Sequence, residues 1–280
     1  TIAAAHDALS ALFPTLTATF DAAAAADLAA LADGDLTRQA GGNHPGMFGQ
    51  IRDDVNLTVT RLREIVTEMK GASIPMGPDR LNFSVREPLG VVGRIVPFNH
   101  PFMFIAGKAA APLAAGNTVV MKPPEQAPLS SLRLCELVDG LLPPGVFNVV
   151  PGLGHIAGKA LGLHMDVDAV AFTGSTEIGR EFLRYAAASN LKNVVLECGG
   201  KSPQIVMADC ADRLDMIAAD LAGAAFWNSG QNCSAGSRIL VDNAIRKDLV
   251  AALVRHAQSR PMGDPIDSTT ALGPLIEPAA

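Results

Sequence analysis

Between residues 91 and 197 short apolar runs alternate with stretches of helical length, and this alternation restricts the chain to few architectures. The runs at 91–96, 118–121, 146–150, 169–172 and 194–197 are short, rich in valine and bounded by turn residues. Between them lie helix-like segments: 102–115, with Pro112 marking a kink or an end, one through Leu132, Cys135, Val138 and Leu142, then 156–161 and 176–187. Parallel strands need crossovers, and helices of this length supply them. The pattern therefore predicts an α/β fold with a doubly wound, mostly parallel sheet. Ahead of it, residues 1–69 read as helical, broken by a Gly/Asn/Pro loop at 41–46, and 82–86 reads as a further strand.

Sheets of this kind bind ligands beyond the carboxyl ends of their strands, which directs attention to the turns after Val96, Met121, Val150, Phe172 and Leu196. The first reads Pro97-Phe98-Asn99-His100-Pro101, where Asn99 can aim an amide N–H at a developing oxyanion or merely cap the helix that follows. The second, Lys122-Pro123-Pro124-Glu125, sets a cation and a carboxylate on a stiff turn, able to grip ribose hydroxyls or to form only a surface ion pair. Pro151-Gly152-Leu153-Gly154 is a turn with room for a ligand. Thr173-Gly174-Ser175-Thr176-Glu177-Ile178-Gly179 leads from strand to helix, so its free N–H groups suit a pyrophosphate, although the Gly-x-Gly-x-x-Gly fingerprint is absent.

Beyond the last of these runs, Glu197 and Cys233 stand thirty-six positions apart. Cys233 lies in a turn of glycine and serine between an apolar segment and the strand-like stretch 238–241, a context for an exposed thiol. Such a thiol is a nucleophile when nearby dipoles or a base favour its thiolate, and a carboxylate in a partly apolar site can activate water. The plain alternative is a packing cysteine.

Composition narrows the functional classes. A net charge of -6 provides no basic footprint for nucleic acid or for an anionic membrane. The longest apolar stretch, 102–115, is interrupted by Lys108 and does not read as a membrane span, and no export signal is evident. The four cysteines show no Cys-x-x-Cys spacing and the six histidines are scattered, so no metal site is expected and a reducing cytoplasm is. A chain of 280 residues has room for about two domains.

The runs Pro97-Phe98-Asn99, the stretch from Gly116 to Glu125, Phe172-Thr173-Gly174-Ser175, Leu196-Glu197-Cys198-Gly199-Gly200-Lys201-Ser202-Pro203 and Gly230-Gln231-Asn232-Cys233 resemble, in this order and with nearly its spacings, the aldehyde dehydrogenase superfamily. The resemblance covers roughly residues 86–276 and implies N-terminal helices with a Rossmann-like dinucleotide-binding domain over 1–198, then an incomplete catalytic α/β domain over 199–280. It implies that Cys233 attacks an aldehyde carbon while the Asn99 amide and the Cys233 backbone N–H hold the oxyanion. Hydride would pass to a nicotinamide, and Glu197 would activate water to hydrolyse the thioester, with Lys108 in the proton relay. On the cofactor side it implies that Lys122 and Glu125 hold the adenosine ribose and that Ser175 and Gly174 face the pyrophosphate, with Val96, Pro97, Phe98, Gly154 and Gly179 nearby. Glu125 would repel a 2′-phosphate, so NAD is expected over NADP.

The family's substrate tunnel matches His100, Phe104, Gly107, Asn232 and Ser234, and glycine at 107 implies a wide mouth. Residues 189–210 look most like the branch acting on omega-amino and gamma-glutamylamino aldehydes. Phe98 stands where the family more often has tryptophan. Nothing after Cys233 resembles the Glu-x-Phe-Gly-Pro segment, so a partial catalytic domain with open sheet edges is expected, and a homodimer or homotetramer for a complete enzyme. A CoA-acylating semialdehyde dehydrogenase and a catalytically silent scaffold remain as alternatives; the first has no need of Glu197, and the second none of Cys233, Glu197 and Asn99 together.

Overall fold

A computed structural model describes residues 60, 70–77 and 79–277, so the helices expected over 1–69 lie outside the described residues apart from Thr60. The chain divides into two compact units, one running to Thr173 and including Glu177–Leu196, the other made of Gly174–Thr176 and everything from Glu197.

Among the described residues the first strands of this unit are an antiparallel hairpin of β1 (Ser73–Pro75) and β2 (Leu81–Phe83). The alternation that follows is β3 (Val91–Ile95), α1 (Pro101–Ala114), β4 (Thr118–Lys122), α2 (Leu129–Val138), β5 (Phe147–Val149), α3 (Lys159–Leu163), β6 (Ala169–Gly174), α4 (Thr176–Ala187) and β7 (Asn193–Cys198). These strands form one sheet in the order β5-β4-β3-β6-β7. The pairs β3–β4, β4–β5 and β3–β6 are parallel, with Ile95 opposite both Lys122 and Phe172. The chain winds outward from β3 to β5 and then returns to β3's other side, so the order reverses between β3 and β6. That is the doubly wound, parallel arrangement predicted from the alternation, and in sheets of this kind ligands bind at the carboxyl ends of the strands where the order reverses.

Alternation of side chains along the strands divides the core in two. Val96, Val119, Met121 and Leu134 pack with Phe104, Ile105 and Ala109 of α1. Ile95, Val170 and Phe172 pack the other way with Val167 and Phe182. There the rings of Phe172 and Phe182 stack at 4.9 Å, and Tyr185 meets Phe182 edge-on at 5.6 Å.

Pro112 does not end α1, which runs two residues further. It closes in a Schellman arrangement: Gly116, at φ 81°, donates to the Leu113 carbonyl and Asn117 to that of Pro112, both at 3.0 Å. The buried Asn117 side chain then accepts from the backbone N–H of Leu89 at 2.6 Å and of Gly90 at 3.1 Å while donating to the Pro112 carbonyl at 2.9 Å. One amide thus fastens the entry of β3 to the end of α1. Helix α2 stops at Val138, short of the expected Leu142, because Asp139 is extended and Gly140 is left-handed. A π-type turn at Gly154–Gly158 precedes α3.

The second unit holds β8 (Gln204–Val206), α5 (Leu214–Phe226), β9 (Ile239–Val241) and α6 (Arg246–Gln258). β8 and β9 pair in parallel as a sheet of two strands. Val206, Ala218, Leu221, Ile245, Leu249 and Ala252 form its core. Asp215 ties α5 to α6 by accepting from Arg255 at 2.9 Å and lying 3.2 Å from the His256 ring nitrogen. Ile205 and Leu240 remain 69% and 50% exposed. No helix among the described residues is long and apolar enough to cross a membrane.

Candidate functional site

In the first unit the strand ends carry the polar groups. Val96 is buried and donates from its backbone to the Lys122 carbonyl at 3.2 Å, joining the ends of β3 and β4. Pro97, Phe98 and Asn99 follow, half-buried. The residue at the cap of α1 is His100, with Pro101 in the first turn, so Asn99 does not act as the N-cap.

Lys122, the last residue of β4, is only 3% exposed, and its ammonium donates to Glu125 Oε2 at 2.6 Å. The other oxygen, Oε1, accepts from the Gly154 backbone N–H at 3.5 Å, the long limit of a hydrogen bond. The turns after adjacent strands β4 and β5 are thereby joined through one carboxylate. Burial pushes the Glu125 carboxyl up, but the bonds from Lys122 and from backbone N–H groups, Gly154 included, outweigh it and hold the group below its ordinary range. This is only half a surface ion pair: the lysine is buried, whereas the carboxylate is 40% open to solvent. A partly open, firmly ionised carboxylate accepts well from a vicinal diol.

From the cap residue His100 into α1, Phe104 and Lys108 follow at intervals of four. The His100 ring meets Phe104 edge-on at 5.6 Å, and the Lys108 ammonium stands 5.9 Å from the Phe104 ring centroid. A Cβ on the exposed Gly107 would meet nothing within 4 Å. Gly179 is buried in α4.

In the second unit Gly174 ends β6 and the exposed Ser175 precedes α4, whose first-turn N–H groups have the polarity an anion needs. Glu197 lies near the end of β7 and is exposed. Of the four cysteines only Cys233 is exposed. Its sulfur is 3.9 Å from Asn232 Oδ1, and the Asn232 amide donates to Ser234 Oγ at 2.8 Å. The turn ahead of it is unusual: Asn228 and Ser229 are left-handed at φ 52° and 56°, and Gly230 follows at 75°. Just beyond it, the Gln204 side chain donates to the Gly236 carbonyl at 2.9 Å, an approach so close that a Cβ on Gly236 would lie 2.0 Å from the Gln204 nitrogen.

The structure thus joins Lys122, Glu125 and Gly154 directly. It sets Asn99 and Lys108 in the same unit as those three, and Glu197, Cys233, Gly174 and Ser175 in the other. Sequence reading passed over Phe104 as the ring beneath Lys108 and Gln204 as the anchor after Cys233. Neither contact leaves a short-range trace, apart from the helical spacing of 104 and 108. No group of three His, Cys, Asp or Glu side chains among the described residues could hold a metal ion.

A family model described as "Aldehyde dehydrogenase family" matches residues 23–280. Aminoacetaldehyde dehydrogenase of Pseudomonas aeruginosa is 47% identical over 230 residues, which cover 81% of this chain and 46% of that protein. The NADP/NAD-dependent aldehyde dehydrogenase PuuC of Escherichia coli K12 is 44% identical over 231 residues, with the same coverage of 81% and 46%. Among solved structures, an indole-3-acetaldehyde dehydrogenase in complex with NAD+ superposes with a TM-score of 0.80 at 33% identity, covering 100% of this chain and 55% of that one. The chain spans about half the length of the curated relatives it matches.

Proposed function

The chain belongs to the aldehyde dehydrogenase family, and from that premise we propose that it serves the NAD-dependent oxidation of an aldehyde to a carboxylic acid. The observation that carries the reading is the exposure of Cys233, alone among the cysteines, in the Gly-Gln-Asn-Cys motif. Cys233 attacks the aldehyde carbon as thiolate, and the Asn99 side chain with the Cys233 backbone N–H stabilises the oxygen that becomes charged. When bound, NAD+ supplies the acceptor for the hydride that leaves this carbon. Glu197 then takes a proton from water, which attacks the thioester and releases the acid and the thiolate. Lys108 is the relay cation, steadied over the Phe104 ring.

The Lys122–Glu125–Gly154 cluster fits the cofactor's adenosine ribose, since its carboxylate is ionised and still partly open. Gly174 and Ser175 serve the pyrophosphate, and Val96, Pro97, Phe98 and Gly179 are the remaining cofactor-binding residues of this reading. In this reading 1–198 is the dinucleotide-binding part and 199–280 the beginning of the catalytic part. An amino aldehyde is the preferred substrate class, on the strength of the likeness to aminoacetaldehyde dehydrogenase. Assembly is as a homodimer or homotetramer, supported by Leu81 and Phe83, which hairpin β1–β2 leaves 80% and 59% exposed, and the location is cytoplasmic.

Rapid mixing with NAD+ and an aldehyde tests the proposal. The expected result is a burst of NADH, lost in Cys233→Ala and independent of added CoA. A burst that survives in Cys233→Ala, or a product formed only as a CoA thioester, would overturn it.

A further inference from the structure

We propose that Gln231 and Ser229 are positioning residues for the Cys233 thiol, holding its loop in a strained form through hydrogen bonds to residues 273–276. Asn228, Ser229 and Gly230 are left-handed in succession, a conformation that glycine adopts freely and asparagine at modest cost, but that serine does not adopt readily and that is seldom found in a run. Such a run persists only where the surroundings over-determine it. Here the surroundings are remote in sequence. Ser229 Oγ donates to the Gly273 carbonyl at 3.1 Å, across 44 residues, and the Ile276 backbone N–H donates to Gln231 Oε1 at 3.0 Å, across 45.

The segment that supplies these partners is itself fixed. Ala271 and Leu272 donate from their backbone to the Pro261 carbonyl at 2.9 and 3.1 Å, and Gly263 donates to that of Leu272 at 3.2 Å. The strap is therefore anchored in the turns after α6, and not in the loop it restrains. On the far side of the thiol, Gly236 is held by Gln204 and donates to the Ala224 carbonyl at 3.3 Å. Cys233 stands between two restrained points, exposed together with Ser234 while Asn232 is half-buried and Ala235 buried. Releasing the nearer one lets Asn228 and Ser229 relax toward favoured backbone regions, and the sulfur loses its fixed relation to the dipoles around it, on which thiolate reactivity depends.

The functional meaning of the strap rests on the reading of Cys233 as the nucleophile, but its test reads the sulfur directly and needs no turnover. The 280-residue chain and its variants are labelled with iodoacetamide, and the rate at each of the four cysteines is followed by peptide mass spectrometry. Gln231→Leu removes the acceptor, and Ile276→Pro removes the donor N–H without touching the loop. Each should slow labelling of Cys233 by about threefold or more, while Ile276→Ala, which keeps the donor N–H and adds no charge, stays within about twofold of the parent. Combining the first two substitutions should add little to either alone. Cys135, Cys198 and Cys210 should keep their parental rates, which distinguishes displacement of one loop from a loosened fold. The proposal fails if Cys233 reacts as fast as in the parent, or faster, in either single variant, or if the rates at all four cysteines shift together. Failure of the dehydrogenase reading would show instead as a parent chain without an NADH burst, whatever these rates.

Discussion

The two units hold polar groups at strand ends by opposite means. In the first, Lys122 and Glu125 are three residues apart, and Gly154 reaches them from the turn after the neighbouring strand. A sheet packed on both faces keeps those turns in place. In the second, a sheet of two strands leaves Ile205 and Leu240 in solvent, and the cysteine loop depends on partners 32 to 45 residues away. A local cluster on a rigid edge tolerates change elsewhere. A loop held by distant contacts concentrates its dependence in a few side chains.

The contrast can be broken most severely at the thiol. Cys233→Ala should abolish the NADH burst yet leave thermal unfolding within about 0.5 kcal/mol of the parent, because the side chain is exposed. Glu197→Gln should preserve the burst and lower steady-state turnover by roughly 10²–10⁴, measured by stopped-flow against steady-state assays. In the first unit, Asn117→Leu should cost about 2–4 kcal/mol in urea unfolding. It strands two backbone N–H groups and one carbonyl that the buried amide now satisfies. On the proposed ribose contact, Glu125→Gln should leave the fold intact and narrow the proposed preference for NAD over NADP by about tenfold in kcat/KM, because the neutral amide would no longer repel a 2′-phosphate.

The smallest effect is the pH dependence of the same pair. The Glu125 carboxyl is held below its ordinary range, so its contribution is present above the unfolded carboxylate value and is lost as pH falls through the lower folded one. Solvent screening of a group 40% exposed limits it to about 0.5 kcal/mol. Acid titration of stability should show a slightly shallower loss in Glu125→Gln than in the parent.

What the sequence disclosed follows the same division. Strand–helix alternation over 91–197 was enough to predict the parallel sheet, because period and length are local properties. Helix 176–187 matched its predicted bounds, and Thr118–Lys122 differed by one residue. The Lys122–Glu125 pair could be seen because three residues separate its members, although its burial could not. Hairpin β1–β2 was half missed, since Ser73–Pro75 is too short and too exposed to leave a pattern. The left-handed run at 228–230 and its strap at 273–276 were invisible, because no local preference of asparagine, serine or glutamine specifies a partner more than forty residues away.

The central claim, that Cys233 carries the acyl group, is tested most directly by trapping it. Glu197→Gln is mixed with NAD+ and aldehyde, quenched in acid and digested, and the cysteine peptides are weighed. The account predicts one acyl adduct, on the peptide containing Cys233, appearing together with the NADH burst. NADH formed without that adduct, or an adduct on Cys135, Cys198 or Cys210 instead, would contradict it.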